Sequence, residues 1–600
     1  MNKQMKKLGA VILALGALGS LTAGAAEPAS ESPANKAKKP LKIYIMVGQS
    51  NMQGQSYVGT IPRMALSPES KALHDKLVDE NGVPRIHNNV SIAAFSQDGG
   101  YGVAPTDQEK HGPLTVGFGN NLKSNVILGP ELGFGITMGE LVGEPILIIK
   151  TAWGGKSLNG DFRPPSAGIR LPEGKEAEAL KEKGKYDEAV AKTKEKTGAY
   201  YRLMMKHVKT VLADPGKYCT AYDPQQGYEL AGFAWFQGYN DRFAGPPYDF
   251  YTELLAHFIR DVRKELNAPK MPFAIGVIGI NGNNEKVEKE LALRKAMAAP
   301  AGMPEFKGNV IAVNTADFWD DEMVAATARV MEAKRISDAT FRWQADGTID
   351  NSHILSPGWQ PVGTPAPQER KWRFISLQRE HADLYRPLQE GEKGDERVFL
   401  GWTPEELKDW PQPGFDDSTW KEGLAPIGKG DSKSFVKNRS TWGDGNVLLM
   451  RTSFDFDPAD YVEYRLSVMT SGSYNAYLNG HQVDSFVWWQ KGLGYRVAHL
   501  AAEQARHLKK GRNVLALYTN INISKGREFS NSVDVLLEAL TKEGKANLTT
   551  VCGEICTPRD RELAKGKSNQ SFHYNGSAYT YSRIGEALAK ALAKTNKSGN

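Results

Sequence analysis

The sequence predicts an α/β fold: a parallel sheet covered by helices on both faces, with a β-sandwich inserted before the last helix. Three observations predict it. Over residues 41–319, apolar runs of strand length alternate with segments of helical composition, the alternation that builds parallel sheets. After about Gly394 the texture changes to short β-like runs between turn signals such as Asn479-Gly480 and Lys510-Gly511, the pattern of a sandwich. Past Cys556 a helical pattern returns over 578–593. It reads as the last helix of the first domain, which makes the sandwich an insertion.

The candidate strands of the first domain are 43–47, 90–94, 145–149, 232–236, 273–279 and 309–314, with helical stretches such as 200–213 and 248–266 between them. Residues 175–197 are dense in Lys, Glu and Ala and read as a solvated helical insertion on the surface. In the sandwich the β-like runs are 446–454, 463–470, 474–478 and 513–519. The expected organisation is a signal peptide (1–26), a linker (27–39), the main α/β part (40–390), the sandwich (391–545) and a returning segment (546–597).

Composition excludes several function classes. A chain of 600 residues is too long for one core, so two or three domains are expected. The formal charge of +6 falls to +3 without Lys3, Lys6 and Lys7, because their segment holds no acid. No basic stripe remains, so nucleic acid is not an expected partner. Those lysines precede an apolar run over 8–21 and the small residues Ala23-Gly-Ala-Ala26. This is the pattern of a secretory signal peptide, with an uncleaved anchor as the alternative, although the run is short for a membrane span. The expected location is secreted or periplasmic, with no membrane partner. Three cysteines, Cys219, Cys552 and Cys556, do not make a disulfide scaffold. Cys552 and Cys556 are either a local pair or two free thiols. With no histidine beside them they make a weak zinc site, and no metal or cofactor is expected. Oligomeric state is not legible.

Three turns, each after a candidate strand, supply the parts of a serine esterase. In the first, Gly48-Gln-Ser50-Asn-Met, a strand-to-helix turn presents Ser50 at the carboxyl end of the sheet, where ligands bind in such folds. In the second, Thr151-Ala-Trp-Gly-Gly155-Lys, a glycine lets its backbone N–H approach a ligand closely. In the third, Gly238-Tyr-Asn240-Asp241, an Asn side chain can donate to a developing oxyanion.

These turns resemble the SGNH hydrolase superfamily, and more closely the sialate O-acetylesterase-type carbohydrate esterases. The matching stretches are Gly48-Gln-Ser-Asn-Met-Gln-Gly54, Gly129-Pro-Glu-Leu-Gly-Phe-Gly135, Ala152-Trp-Gly-Gly-Lys-Ser-Leu158 and Trp235-Phe-Gln-Gly-Tyr-Asn-Asp241. The resemblance implies a three-layer α/β/α (flavodoxin-like) domain that hydrolyses O-acetyl esters on sugars without a metal. It implies Ser50 as nucleophile, with the N–H groups of Ser50 and Gly155 and the Asn240 side chain as oxyanion hole.

Two histidines compete for the role of base. Asp350-Asn-Ser-His353 has the superfamily's Asp-x-x-His spacing, but Pro357, Pro361, Pro365 and Pro367 follow, and no helix runs through them. Phe572-His573-Tyr-Asn-Gly-Ser-Ala leads directly into the last helix and resembles the closing segment of multidomain members. There Gln570 stands where the acid would be, so the expected orienting group is a carboxylate from elsewhere, such as Asp317 or Asp320, or a carbonyl, with a dyad as the alternative. His573 is the preferred base.

Within the insertion, Pro413-Gly-Phe-Asp-Asp-Ser-Thr-Trp420 and Ser473-Tyr-Asn-Ala-Tyr-Leu-Asn-Gly480 resemble the galactose-binding-like (jelly-roll) sandwich of β-galactosidase-type hydrolases. Trp402, Trp410, Trp488 and Trp489 are either sugar-stacking or core residues. The function expected is a carbohydrate O-acetylesterase with an acetylated carbohydrate as its partner. The alternative is a carbohydrate-binding protein with an inactive esterase fold.

Overall fold

The computed structural model describes residues 39–98, 106–172, 174–338, 342–343, 349–350, 358–363, 369–387, 389, 397–430, 437–487, 495–524, 527–528 and 530–598. The first domain is built on a seven-stranded sheet: β1 (Leu41–Gly48), β2 (His87–Asp98), β3 (Thr106–Leu114), β4 (Ile146–Ala152), β5 (Tyr228–Phe236), β6 (Phe273–Val277) and β7 (Val310–Asn314). Their order is β3-β2-β4-β1-β5-β6-β7. All pairings are parallel except the edge pair β2–β3. All six expected strands are present. Strand β3, with the polar sequence TDQEKHGPL, was not expected.

Strand β1 is central and apolar throughout, from Ile43 to Val47, and each of these side chains is buried. A strand covered on both faces needs such a run, and each fully buried side chain of this size contributes about 1.5–3 kcal/mol. The two faces are read off alternating residues of β5. Phe233 and Trp235 meet Phe258 of helix Asp249–Glu265. Gly232 and Phe236 meet Leu592 and Tyr574 of the C-terminal segment.

The C-terminal helix Ala578–Ser598 crosses helix Pro130–Val142 at backbone contact. A Cβ on Gly133 would lie 1.9 Å from the Ser582 carbonyl oxygen, and one on Gly585 would lie 2.0 Å from that of Pro130. The glycines of the 129–135 motif and of the last helix are therefore one packing device, joining segments far apart in sequence.

The chain leaves this domain through helix Asp321–Ser337 and returns through helices Lys542–Ile555 and Pro558–Ala564, which pack on it. Arg329 ties the outgoing helix to Asp560 of the return at 2.5 Å. Between them two sheets face each other. One holds Ile427–Lys429, Asn531–Thr541, Tyr461–Met469 and Tyr495–His499, and the other holds Lys371–Leu377, Val447–Phe456, Gly511–Asn520 and Tyr474–Leu478.

The insertion and the returning helix are as expected, but the boundary at 391 is not. Trp359–Pro361 and Lys371–Leu377 already pair with sandwich strands, so the sandwich includes residues well before 391. Its last strand ends at Thr541. A buried pair anchors it: Arg465 meets Glu538 at 2.8 Å and donates to the Ser337 carbonyl at 2.6 Å.

The expected surface insertion forms two helices, Gly174–Glu182 and Tyr186–Lys196. All three cysteines are free thiols. Trp410 is buried against Trp420 and Tyr477, which makes it a core residue. Trp488 and Trp489 lie outside the described residues.

Candidate active site

The three turns leave adjacent strands at one level. Gly48, at the end of β1, is in register with Ala152 of β4 on one side and Phe236 of β5 on the other. Ser50, Gly155 and Asn240 therefore all emerge just past the carboxyl edge of the sheet, as expected.

Ser50 begins a helix of only one turn, Ser50–Gln53. Its macrodipole is correspondingly small, so the electrostatic gain here lies in individual N–H groups. As the first helical residue, Ser50 has no intrahelical acceptor for its own N–H. Gly154 packs beside it: a Cβ there would lie 3.9 Å from Ser50 Cβ. Gly155 follows at φ +67°, a left-handed conformation that costs glycine least. Lys150, buried and paired with Glu131 at 2.6 Å, donates to the Gln53 carbonyl at 2.7 Å and so fixes the end of the Ser50 turn.

Two buried side chains join the loops. Gln49 Oε1 accepts from the N–H groups of Gly238 and Asn240, both at 3.2 Å. Asp241 accepts from the N–H groups of Leu158 (2.8 Å) and Asn159 (2.9 Å) and from Gln237 Nε2 (2.6 Å). Burial pushes the Asp241 carboxyl up to about 6 against these three donors, so its strongest acceptor form, the carboxylate, prevails at neutral pH. The Asn240 side chain does not cap the short turn that follows it.

His573 arrives on the segment Ser571–Gly576, whose residues Tyr574, Asn575 and Gly576 all have positive φ. Such a run persists only when its surroundings over-determine it. Here the buried Tyr574 hydroxyl accepts from the Gly279 N–H at 2.7 Å and meets Thr315 Oγ1 at 2.6 Å. The segment docks on the residue next to Ser50. Asn51 Nδ2 donates to the Phe572 carbonyl at 3.1 Å. The Tyr581 hydroxyl lies 2.9 Å from Asn51 Oδ1 and 3.2 Å from the His573 carbonyl. Among the described residues, no hydrogen bond joins the Ser50 hydroxyl to the His573 ring. Such contacts are often long before substrate binds.

Neither carboxylate proposed to orient His573 does so. Asp320 is engaged by Arg63 at 2.8 Å, and Asp317 accepts from Asn283 and Asn314, both at 2.9 Å. The partner is Asn569: its Oδ1 lies 3.2 Å from His573 Nδ1. The same oxygen accepts from the Gln570 N–H at 2.7 Å, which identifies it as the oxygen of the amide. His573 Nδ1 then carries the proton, and Nε2 keeps the lone pair a base needs. Burial lowers the imidazole to about 4, with no carboxylate paired to it among the described residues. His353 lies outside the described residues.

Residues 40–322 match the family described as "carbohydrate esterase, sialic acid-specific acetylesterase". No curated protein matches the chain. Among solved structures, one from Arabidopsis thaliana is similar at 16% identity over 46% of this chain and 86% of its own, with a TM-score of 0.25. A carbohydrate acetylesterase from Xanthomonas citri is similar at 15% identity over 56% of this chain and 67% of its own, with a TM-score of 0.26. The Bacteroides uniformis β-glucuronidase is similar at 16% identity over 30% of this chain and 18% of its own, with a TM-score of 0.18.

Proposed function

We propose, from the match of residues 40–322 to this carbohydrate esterase family, that the chain is an exported O-acetylesterase acting on acetylated sugars or polysaccharides. Ser50 attacks the acetyl carbonyl while His573 Nε2 takes the hydroxyl proton. The N–H groups of Ser50 and Gly155 and the Asn240 amide donate to the oxyanion. His573 returns its proton to the sugar oxygen as its bond to the acetyl carbon breaks, and the acetyl-enzyme is then cleaved by water that the same ring deprotonates. The observation that carries the reading is the docking of the His573 segment on Asn51, the neighbour of Ser50. Acetate release from a panel of acetylated glycans tests it. Sugar binding without acetate release would instead indicate a binding protein with an inactive esterase fold.

Asn240→Ala is expected to lower kcat by about 10²-fold with little change in KM, as for other oxyanion donors. Steady-state kinetics on one soluble ester checks this, and a change confined to KM would make Asn240 a substrate-binding residue.

The pH profile tests the Asn569 contact. Protonated His573 cannot act as base, so kcat/KM is expected to fall as pH drops through about 4. A separate inflection near 6 belongs to Asp241. In Asn569→Asp a carboxylate beside Nδ1 favours the imidazolium, so the lower limb rises by about 1–3 pH units while that of Asp241 stays. A lower limb that does not move would remove Asn569 from this role.

A further inference from the structure

We infer that the rings flanking His573 form a stacking platform for a second sugar unit, and that the enzyme therefore acts on acetylated oligo- or polysaccharides in preference to monosaccharides. The inference rests on the esterase reading above and deepens it.

A series of aromatic rings runs from the proposed base to solvent. Phe572 packs against the His573 ring with centroids 4.4 Å apart. Tyr239, the residue before Asn240, stacks on Phe572 at 5.6 Å. Phe243 meets Tyr239 edge-on at 6.0 Å and is 71% exposed. A single exposed apolar side chain means little. This one, however, continues a ring series that begins at the catalytic histidine and shares the loop of the oxyanion residue.

The platform is held in place. The Arg242 guanidinium lies 4.6 Å from the Tyr239 centroid and 5.2 Å from that of Phe243, and Glu290 pairs with it at 3.2 Å. That pairing cancels its charge, so the platform selects for a ring face and not for an anionic group. The electron-rich face of a phenyl ring complements the weakly positive C–H face of a pyranose. An acetyl group at Ser50 places its own sugar beside His573 and Phe572. Phe243, two rings further out, meets the next unit.

The test compares peracetylated xylotriose, peracetylated xylose and ethyl acetate, which has no ring to stack. For Phe243→Ala, and equally for Phe243→Leu, the KM for xylotriose is expected to rise about tenfold relative to the KM for xylose and for ethyl acetate. Phe243→Trp is expected to retain wild-type discrimination. Unchanged ratios in the Ala and Leu variants, or an equal loss on all three substrates, would overturn the platform. A wild type that turns over ethyl acetate and neither sugar would overturn the carbohydrate reading itself.

Discussion

Ser50→Ala is expected to leave less than about one per cent of wild-type ester hydrolysis, because loss of a nucleophile typically costs far more than a hundredfold. The fold should tolerate the change. Ser50 sits on a one-turn helix whose end is held by Lys150 and Glu131, through contacts its hydroxyl does not make. Ester turnover and near-UV circular dichroism, measured on the same sample, check both halves. Activity above that level, once contaminating esterases are excluded, would remove Ser50 from the chemistry.

His573→Ala is expected to lower kcat by about 10³-fold or more, approaching the loss in Ser50→Ala, since nucleophile and base act as a unit. His353→Ala is expected to keep most of the activity. The segment carrying His573 is fixed at three places: by Tyr574 on Gly279 and Thr315, by Asn51 on the Phe572 carbonyl, and by Tyr581. A base held so rigidly can act without a carboxylate behind it. Steady-state rates of the two variants under identical conditions separate the alternatives, and the reverse pattern would restore the Asp350–His353 spacing as the functional one.

The α/β domain was legible because its central strands are buried on both faces and so read as apolar runs, as over residues 146–149 of strand Ile146–Ala152. Strand Thr106–Leu114 was not legible: it lies at the sheet edge, and edge position tolerates polar residues, Gly112 and Pro113. Asn531–Thr541 is buried along most of its length, yet its Leu-Leu-Glu-Ala-Leu core reads equally as helix. The start of the sandwich was hidden because Trp359–Pro361 is only three residues long and stands among prolines.

At the site, the turns were visible as glycine-rich breaks after strands. The contacts supporting them were not. Asn569 reaches His573 across four residues only because the chain folds back, with the N–H groups of Ser568 and Asn569 both donating to the Asn575 carbonyl. The spacing is that of one helical turn, but His573, Tyr574 and Asn575 are not helical in conformation, so helical periodicity did not announce the approach. Asp241 read as a turn residue, but its carboxylate holds the Leu158 loop, eighty-three positions away.

Ser50, activated by His573, is expected to form a covalent acyl-enzyme. The most direct measurement is peptide mapping by mass spectrometry after reaction with a fluorophosphonate, an irreversible mimic of the acylation step. The expected result is one adduct per chain on the peptide carrying Ser50, absent in Ser50→Ala and formed much more slowly in His573→Ala. An adduct on a different serine, or esterase activity that persists in fully active protein with no adduct at all, would contradict it.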